Sequence, residues 1–206
     1  MVKIEVEHRG PLTPKKFKEL IKFFKKKGKS LGKKNRFSII YWVRGRKIFK
    51  LDRTPIDLKL RITNKKTELV LKSGKWSGND ARKEFLFPID SKKFEEITEF
   101  LKILGFYYGV LQATKTDCYL YKGIEFALVR VPSWGYYFEA EIVVSQNQIK
   151  SANKKIKLAC RELGLNLFDD KGFCKLLEEL NERPGFKFNL KKQKFSDIRK
   201  IFRNYF

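Results

Sequence analysis

The sequence predicts an α+β fold: a closed antiparallel β-barrel of about eight strands, its charged strand faces lining a tunnel, with helices packed outside. Three observations predict it. Two strands far apart in the chain, Ile4-Glu5-Val6-Glu7-His8-Arg9 and Tyr137-Phe138-Glu139-Ala140-Glu141-Ile142, each place two glutamates on one face. Other strands alternate charged with apolar residues, the period of an extended chain with two unlike faces. Hairpin runs separated by amphipathic helices recur at matching points in two halves. If the apolar strand faces pack outward against helices, the charged faces turn inward.

The elements follow in order. Gly10-Pro11 breaks the first strand, Thr13 caps a helix and Pro14 takes its first position. Phe17, Leu20, Ile21 and Phe24 recur at helical spacing to about Lys27. Strands are expected over 36–43 and 57–63. In the latter, Leu58, Leu60 and Ile62 oppose Lys59, Arg61 and Thr63. Asn64-Lys65-Lys66 turns the chain into a hairpin partner over 68–72. A strand over 82–87 stops at Pro88. Ser91 then caps a helix whose stripe is Phe94, Ile97, Leu101 and Leu104. Strands over 106–112, 115–121, 125–131 and 136–144 precede helices over 148–163 and from about Asp170. The basic tail, 195–206, reads as weakly amphipathic and is expected either to dock late or to move. The expected division is a tunnel domain over 1–165 and a helical extension over 166–206, packed on or beside the barrel.

Nineteen phenylalanines and a 42% hydrophobic fraction support a true core, so disorder is excluded. No run reaches the roughly 18 apolar residues of a membrane span, and no signal-peptide core is visible, so a cytoplasmic location is expected. Cys118, Cys160 and Cys174 have no paired spacing, which argues against zinc and a disulfide framework. Forty-seven Lys and Arg against twenty-three Asp and Glu give a net charge of +24. Such a field attracts polyanions. Ten lysines fall between Lys15 and Lys34, beside one acid, Glu19. Without aromatic residues on its polar face or a groove-reading motif, this segment is expected to bind nucleic acid at most weakly and without sequence preference.

Two carboxylates about 5 Å apart repel by roughly 3 kcal/mol at an effective dielectric of 20. Glu5 and Glu7 therefore want a counter-charge or a metal ion. The alternatives at this level are that the glutamates pair with surface lysines on an open sheet, and that Lys59 and Arg61 lie on its outer face. His8 falls on the apolar face of its strand and reads as structural.

The ordered set Glu5-Val6-Glu7-His8-Arg9, Leu60-Arg61-Ile62-Thr63, Lys72-Ser73-Gly74, Arg82-Lys83-Glu84, Lys115-Thr116-Asp117 and Trp134-Gly135-Tyr136-Tyr137-Phe138-Glu139-Ala140-Glu141 resembles the signature of the CYTH superfamily, the triphosphate tunnel metalloenzymes. That superfamily includes class IV adenylyl cyclases, thiamine triphosphatases and inorganic triphosphatases. The resemblance covers roughly residues 2–145. It departs at Thr63 and Asp117, where arginines are expected, and at Val129, where an aspartate is.

The resemblance implies Glu5, Glu7, Glu139 and Glu141 as ligands of Mg²⁺ or Mn²⁺, the hard cations that all-oxygen sites prefer. It implies Arg61, Lys72, Arg82 and Lys115 as phosphate-binding residues, Arg9 and Glu7 as catalytic, and Glu84 and Lys59 as supporting. The implied activity is hydrolysis of a triphosphate-containing substrate, inorganic, nucleoside or thiamine triphosphate. Cyclisation of the adenylyl cyclase type and polyanion binding without turnover are the alternatives. The expected partner is a small triphosphate or polyphosphate, with no membrane and with a homodimer left open.

Overall fold

A computed structural model describes residues 4–41, 56–73, 79–132, 134–183 and 185–206, without the side chains of 79–82 and 181. Eight antiparallel strands close a barrel. They are β1 (Ile4–Leu12), β2 (Lys29–Tyr41), β3 (Ile56–Thr63), β4 (Lys66–Ser73), β5 (Asn79–Ile89), β6 (Tyr108–Tyr121), β7 (Ile124–Val131) and β8 (Gly135–Val144). Their spatial order is β2-β3-β4-β5-β1-β8-β7-β6, and pairing of β6 with β2 closes the ring. A short β9 (Lys187–Asn189) adds to β6 at Tyr108–Val110.

The tight hairpins have local causes. Asn64 and Lys65 both take positive φ between β3 and β4, and Lys122 and Gly123 do so between β6 and β7. That is the mirror-image turn whose twist matches two-residue hairpins.

Helices α1 (Pro14–Lys27) and α3 (Ile149–Glu162) cover one flank. Thr13 Oγ1 accepts from Lys16 N at 3.1 Å, a cap worth about 1 kcal/mol. Leu20 and Phe24 of α1 and Ala152, Ile156 and Ala159 of α3 share one hydrophobic cluster with the outward faces of β1, β7 and β8. His8 belongs to this outer side: its Nε2 lies 2.7 Å from Asn153 Oδ1 on α3. Helix α2 (Phe94–Ile103) covers the other flank, in a cluster with Phe37, Ile39 and Leu60. Helix α4 (Asp170–Asn181) sets Phe173 and Leu176 against Val110 of β6. No helix among the described residues is long and apolar enough to cross a membrane.

Four details differ from the expected elements. Strand β2 begins at Lys29, because 29–35 pair with β6 from Leu120 down to Lys115 across a bulge at Ser30/Gly32. The two strands expected over 106–112 and 115–121 are one, held continuous by the same pairing. Pro88 does not end β5, which still pairs Pro88 with Glu68 and Ile89 with Thr67. The tail is integral: Phe195 and Ile198 of α5 (Phe195–Ile201) and Phe202 beyond it are buried, and Phe202 lies 4.6 Å from Phe37, ring centre to ring centre. The end of the strand expected over 36–43 lies outside the described residues.

Candidate active site

Parity and register build the site. Glu5, Glu7 and Arg9 point inward from β1, and β8 answers with Glu139 and Glu141. Glu7 stands opposite Glu141 and Arg9 opposite Glu139. Carboxylate oxygens of Glu5, Glu7 and Glu141 all lie within 4.8 Å of one another. Glu139 stands apart from this trio, with its Oε1 3.3 Å from Arg9 Nε. Arg9 also pairs with Glu7, and its guanidinium lies 5.1 Å from the centre of the Phe173 ring. Helix α4 is held over this end by a close backbone contact. Phe168 N donates to Arg9 O at 2.8 Å, and a Cβ on Gly10 would lie 1.9 Å from Asn166 O. Only glycine allows that approach.

The cations come from the neighbouring strands. Lys72 of β4 sets its Nζ 2.5 Å from Glu5 Oε2. Arg61 of β3 donates from Nε to Glu68 Oε2 at 2.8 Å and reaches Glu84 Oε1 at 3.9 Å. Lys59 pairs with Asp57 at 2.9 Å. All these residues except Glu68 line one cavity of about 250 Å³. Lys59 and Arg61 therefore face inward, not onto an outer sheet face. Leu176, Leu177 and Leu180 of α4, with Val129 and Val131, give the cavity an apolar side.

Burial makes the carboxylates unequal. Burial, then Glu7 and Glu5, push Glu141 up to about 10. Burial raises Glu7 to about 8 against the pull of Arg9. Burial also opposes ionisation of Glu5, but Lys72 first, then Glu141 and Arg9, outweigh it and hold Glu5 at about 2. Glu139 is likewise held below the usual carboxylate range, since Arg9 and Arg36 overcome its burial. Like charges this close cannot all ionise, so protons remain on the trio at neutral pH. A divalent cation fits such a set. It would replace those protons with positive charge among hard oxygen donors suited to Mg²⁺ or Mn²⁺.

Some expected residues lie elsewhere. Lys115 is exposed, whereas Thr114 and Thr116 on either side of it line the cavity. The parity of β6 turns Lys115 outward. Val129 is buried among Cys118, Ala127, Val131 and Tyr137, so an apolar group fills the position where the resemblance implies an acid. Asp117 pairs with Lys33 at 3.6 Å and does not line the cavity. The side chain of Arg82 lies outside the described residues, as does Gly74; the backbone of Arg82 pairs with Glu5.

Other lining residues carry charge that the motifs did not mark. Arg36 of β2 donates from Nε to Thr63 Oγ1 at 2.9 Å, directly across the strand pair. Burial, then the nearby Arg61, lowers its pKa, the signature of a cation placed where an anion would be welcome. Lys34 Nζ meets Glu125 Oε1 at 2.9 Å. The signal was available: Phe37, Ile39 and Tyr41 are apolar at period two, which leaves Arg36 and Ser38 for the other face. Seven cationic and seven acidic side chains line the described cavity. Lys72 and Arg9 are tied to Glu5 and Glu7, so occupation of the carboxylates by a metal would release cations for phosphate.

No family model and no curated protein matches the chain. Solved structures do. A Pyrococcus horikoshii OT3 protein is 25% identical, with a TM-score of 0.70 over 85% of this chain and 98% of its own. A candidate adenylate cyclase from Vibrio parahaemolyticus is 14% identical, with a TM-score of 0.63 over 81% and 91%. A candidate adenylyl cyclase from Hippeastrum, described as having a dominant triphosphatase activity, is 15% identical, with a TM-score of 0.57 over 82% and 90%.

Proposed function

Since the chain has the fold of the CYTH, or triphosphate tunnel, proteins, we propose that it is a divalent-metal-dependent phosphohydrolase acting on a triphosphate-containing substrate within the barrel. The observation that carries the reading is the convergence of Glu5, Glu7 and Glu141 in the same cavity as Arg36, Arg61 and Lys72. An anion-binding protein gains nothing from three clustered acids. Glu5, Glu7 and Glu141 would hold the metal, with Glu139 keeping Arg9 in place beside them. A divalent ion bound there supplies phosphoryl polarisation and a bound water of lowered pKa.

The chain's own residues bind and orient the substrate. Arg61 and Arg36 offer planar forks to phosphate oxygens and Lys72 a point charge, with Arg82 a further phosphate ligand. Arg9, held between Glu7 and Glu139, places a guanidinium at the junction of acids and phosphate. Lys59 pairs with Asp57 and Glu84 lies beside Arg61, which supports the phosphate-binding wall. The cavity of about 250 Å³ lies just below the roughly 300–1,000 Å³ of ordinary ligand pockets, which favours a compact phosphate chain over a fully enclosed nucleotide.

Phosphate release with Mg²⁺ or Mn²⁺, measured across inorganic triphosphate, nucleoside triphosphates and thiamine triphosphate with cyclic AMP assayed alongside, tests the proposal. Release of phosphate without cyclic AMP is the expected result. Cyclic AMP as the main product would move the chain to the cyclase reading. Tight triphosphate binding without turnover would leave a binding protein, the reading that the apolar Val129 position favours.

A further inference from the structure

We infer that the α1/α3 flank of the barrel is a docking surface for the sugar–phosphate backbone of a nucleic-acid duplex. Helix α1 carries seven lysines and one acid, Glu19; α3 carries four lysines, Arg161 and one acid, Glu162. Two of the other three helices have the opposite balance, and the short α5 sets Arg199 and Lys200 against Asp197. Helix α2 has three glutamates and one lysine, and α4 has three acids and two lysines. A uniform compositional preference for lysine would spread it over all five helices. Instead, the two helices that share one hydrophobic cluster also share the charge.

The cations on this flank are available. Eleven of the twelve are exposed and Lys16 is half-buried. None takes part in an ion pair among the described residues; Glu162, the acid beside Arg161, is taken by Lys122 of the β6–β7 turn at 2.6 Å. Lys16 Nζ comes within 3.5 Å of where a Cβ on Gly164 would lie, so the start of α1 and the end of α3 meet. Each helix has 14 residues, about 21 Å at 1.5 Å per residue. Duplex DNA carries about one charge per 1.7 Å of axis, so a surface of that length runs beside roughly a dozen phosphates.

The chemistry of the flank selects the partner. Phe17 and Phe23 pack inward against the hydrophobic cluster, so no aromatic platform is offered to unstacked bases. Leu158 is the one large hydrophobic residue of either helix that is strongly exposed, too little for an interfacial membrane helix. Backbone contact without base readout is what remains, with affinity that is steeply salt-dependent and indifferent to sequence.

The experiment is fluorescence anisotropy of the full chain with a 20-base-pair DNA duplex of mixed sequence and 5′-hydroxyl ends, titrated from 50 to 300 mM KCl. With about half of the twelve cations in contact, log K should fall against log salt with a slope of roughly −5, at about 0.9 per phosphate. Replacing Lys18, Lys22, Lys25, Lys150, Lys154 and Lys157 by glutamine should weaken binding at least tenfold at 100 mM KCl and flatten the slope. A charge-matched control, Lys92, Lys93, Lys102, Lys171, Lys175 and Lys192 to glutamine, should lose less than threefold. Equal loss in both variants would mean that net charge and not this flank binds, and would overturn the inference. So would no binding at 50 mM KCl, a slope shallower than about −2, or tighter retention on vesicles with 30% phosphatidylserine than on the duplex. Blunt 5′-hydroxyl ends offer the tunnel no triphosphate, so the outcome is independent of the proposed hydrolysis.

Discussion

Glu141→Gln separates the cost of the acidic trio from its use. At neutral pH and without metal, burial, Glu7 and Glu5 hold Glu141 up at about 10, so it is largely protonated in the folded protein. In the unfolded chain its pKa is about 4.3 and it is ionised. A carboxyl whose pKa is raised on folding costs stability as pH rises above its unfolded value, and the cost levels off only above the folded one. Between about 4.3 and 7, at 1.36 kcal/mol per unit, the ceiling is roughly 3.5 kcal/mol. Glu141 is only half-buried, so solvent screening reduces this, to about 1 kcal/mol. Glutamine has the shape of the protonated acid and never ionises. The variant should therefore melt about 2–4 °C higher than the parent in EDTA at pH 7. The parent, at a Mn²⁺ concentration one hundred times Kd, should gain about 2.7 kcal/mol, or roughly 5–10 °C. Glu141→Gln should lose most of that gain. Differential scanning calorimetry with and without Mn²⁺ reads both effects. A variant that melts lower in EDTA yet keeps the full metal shift would refute the reasoning.

Metal affinity should rise with pH between 6 and 8, by up to about a hundredfold per unit, because Glu7 and Glu141, held up at about 8 and about 10, must each give up a proton to the ion; a flat calorimetric titration across that range would contradict this. Arg36→Gln and Arg61→Ala should each weaken triphosphate binding at least tenfold, at about 1.5–3 kcal/mol per charged contact, while Lys115→Ala leaves it within a factor of two. Equal effects at Arg36 and Lys115 would remove the argument from strand parity. Phe202→Ala should destabilise the protein by about 3–5 kcal/mol in urea unfolding, since its ring fills a cluster shared with Phe37. A loss below 1 kcal/mol would show that the tail is not integral to the core.

Strand parity was the part of the site most legible in the sequence. Glu5, Glu7 and Arg9, or Lys59 and Arg61, share a face because side chains alternate, and closure of the barrel turned those faces inward. Register was not legible. Nothing local tells that Glu7 meets Glu141 while Arg9 takes Glu139, so four equivalent glutamates were expected where three converge and the fourth holds an arginine. Lys115 was misplaced for the same reason: its side depends on the phase of a 14-residue strand that read as two. Arg36 was within reach, had the apolar Phe37, Ile39 and Tyr41 been used to assign its face. The tail was underestimated because α5 is only seven residues long, and Phe202, part of its anchor, lies beyond the helix.

The position of β1 between β5 and β8 has a consequence for biosynthesis. At roughly 5–20 residues per second, β5 leaves the ribosome several seconds after β1, whereas β8 follows β1 by about 6–25 s. The first strand can find its first neighbour early, but the edge that receives β8 stays open for most of translation. The trio of glutamates is completed only at that last pairing, which spans about 130 residues and belongs to the slow class of long-range contacts. Until then Glu5 and Glu7 face water and carry their ordinary charges, so the protons held by burial are taken up as the ring closes. Excess divalent ion present during refolding should compete at that moment, making the rate of the final step depend on metal and pH together.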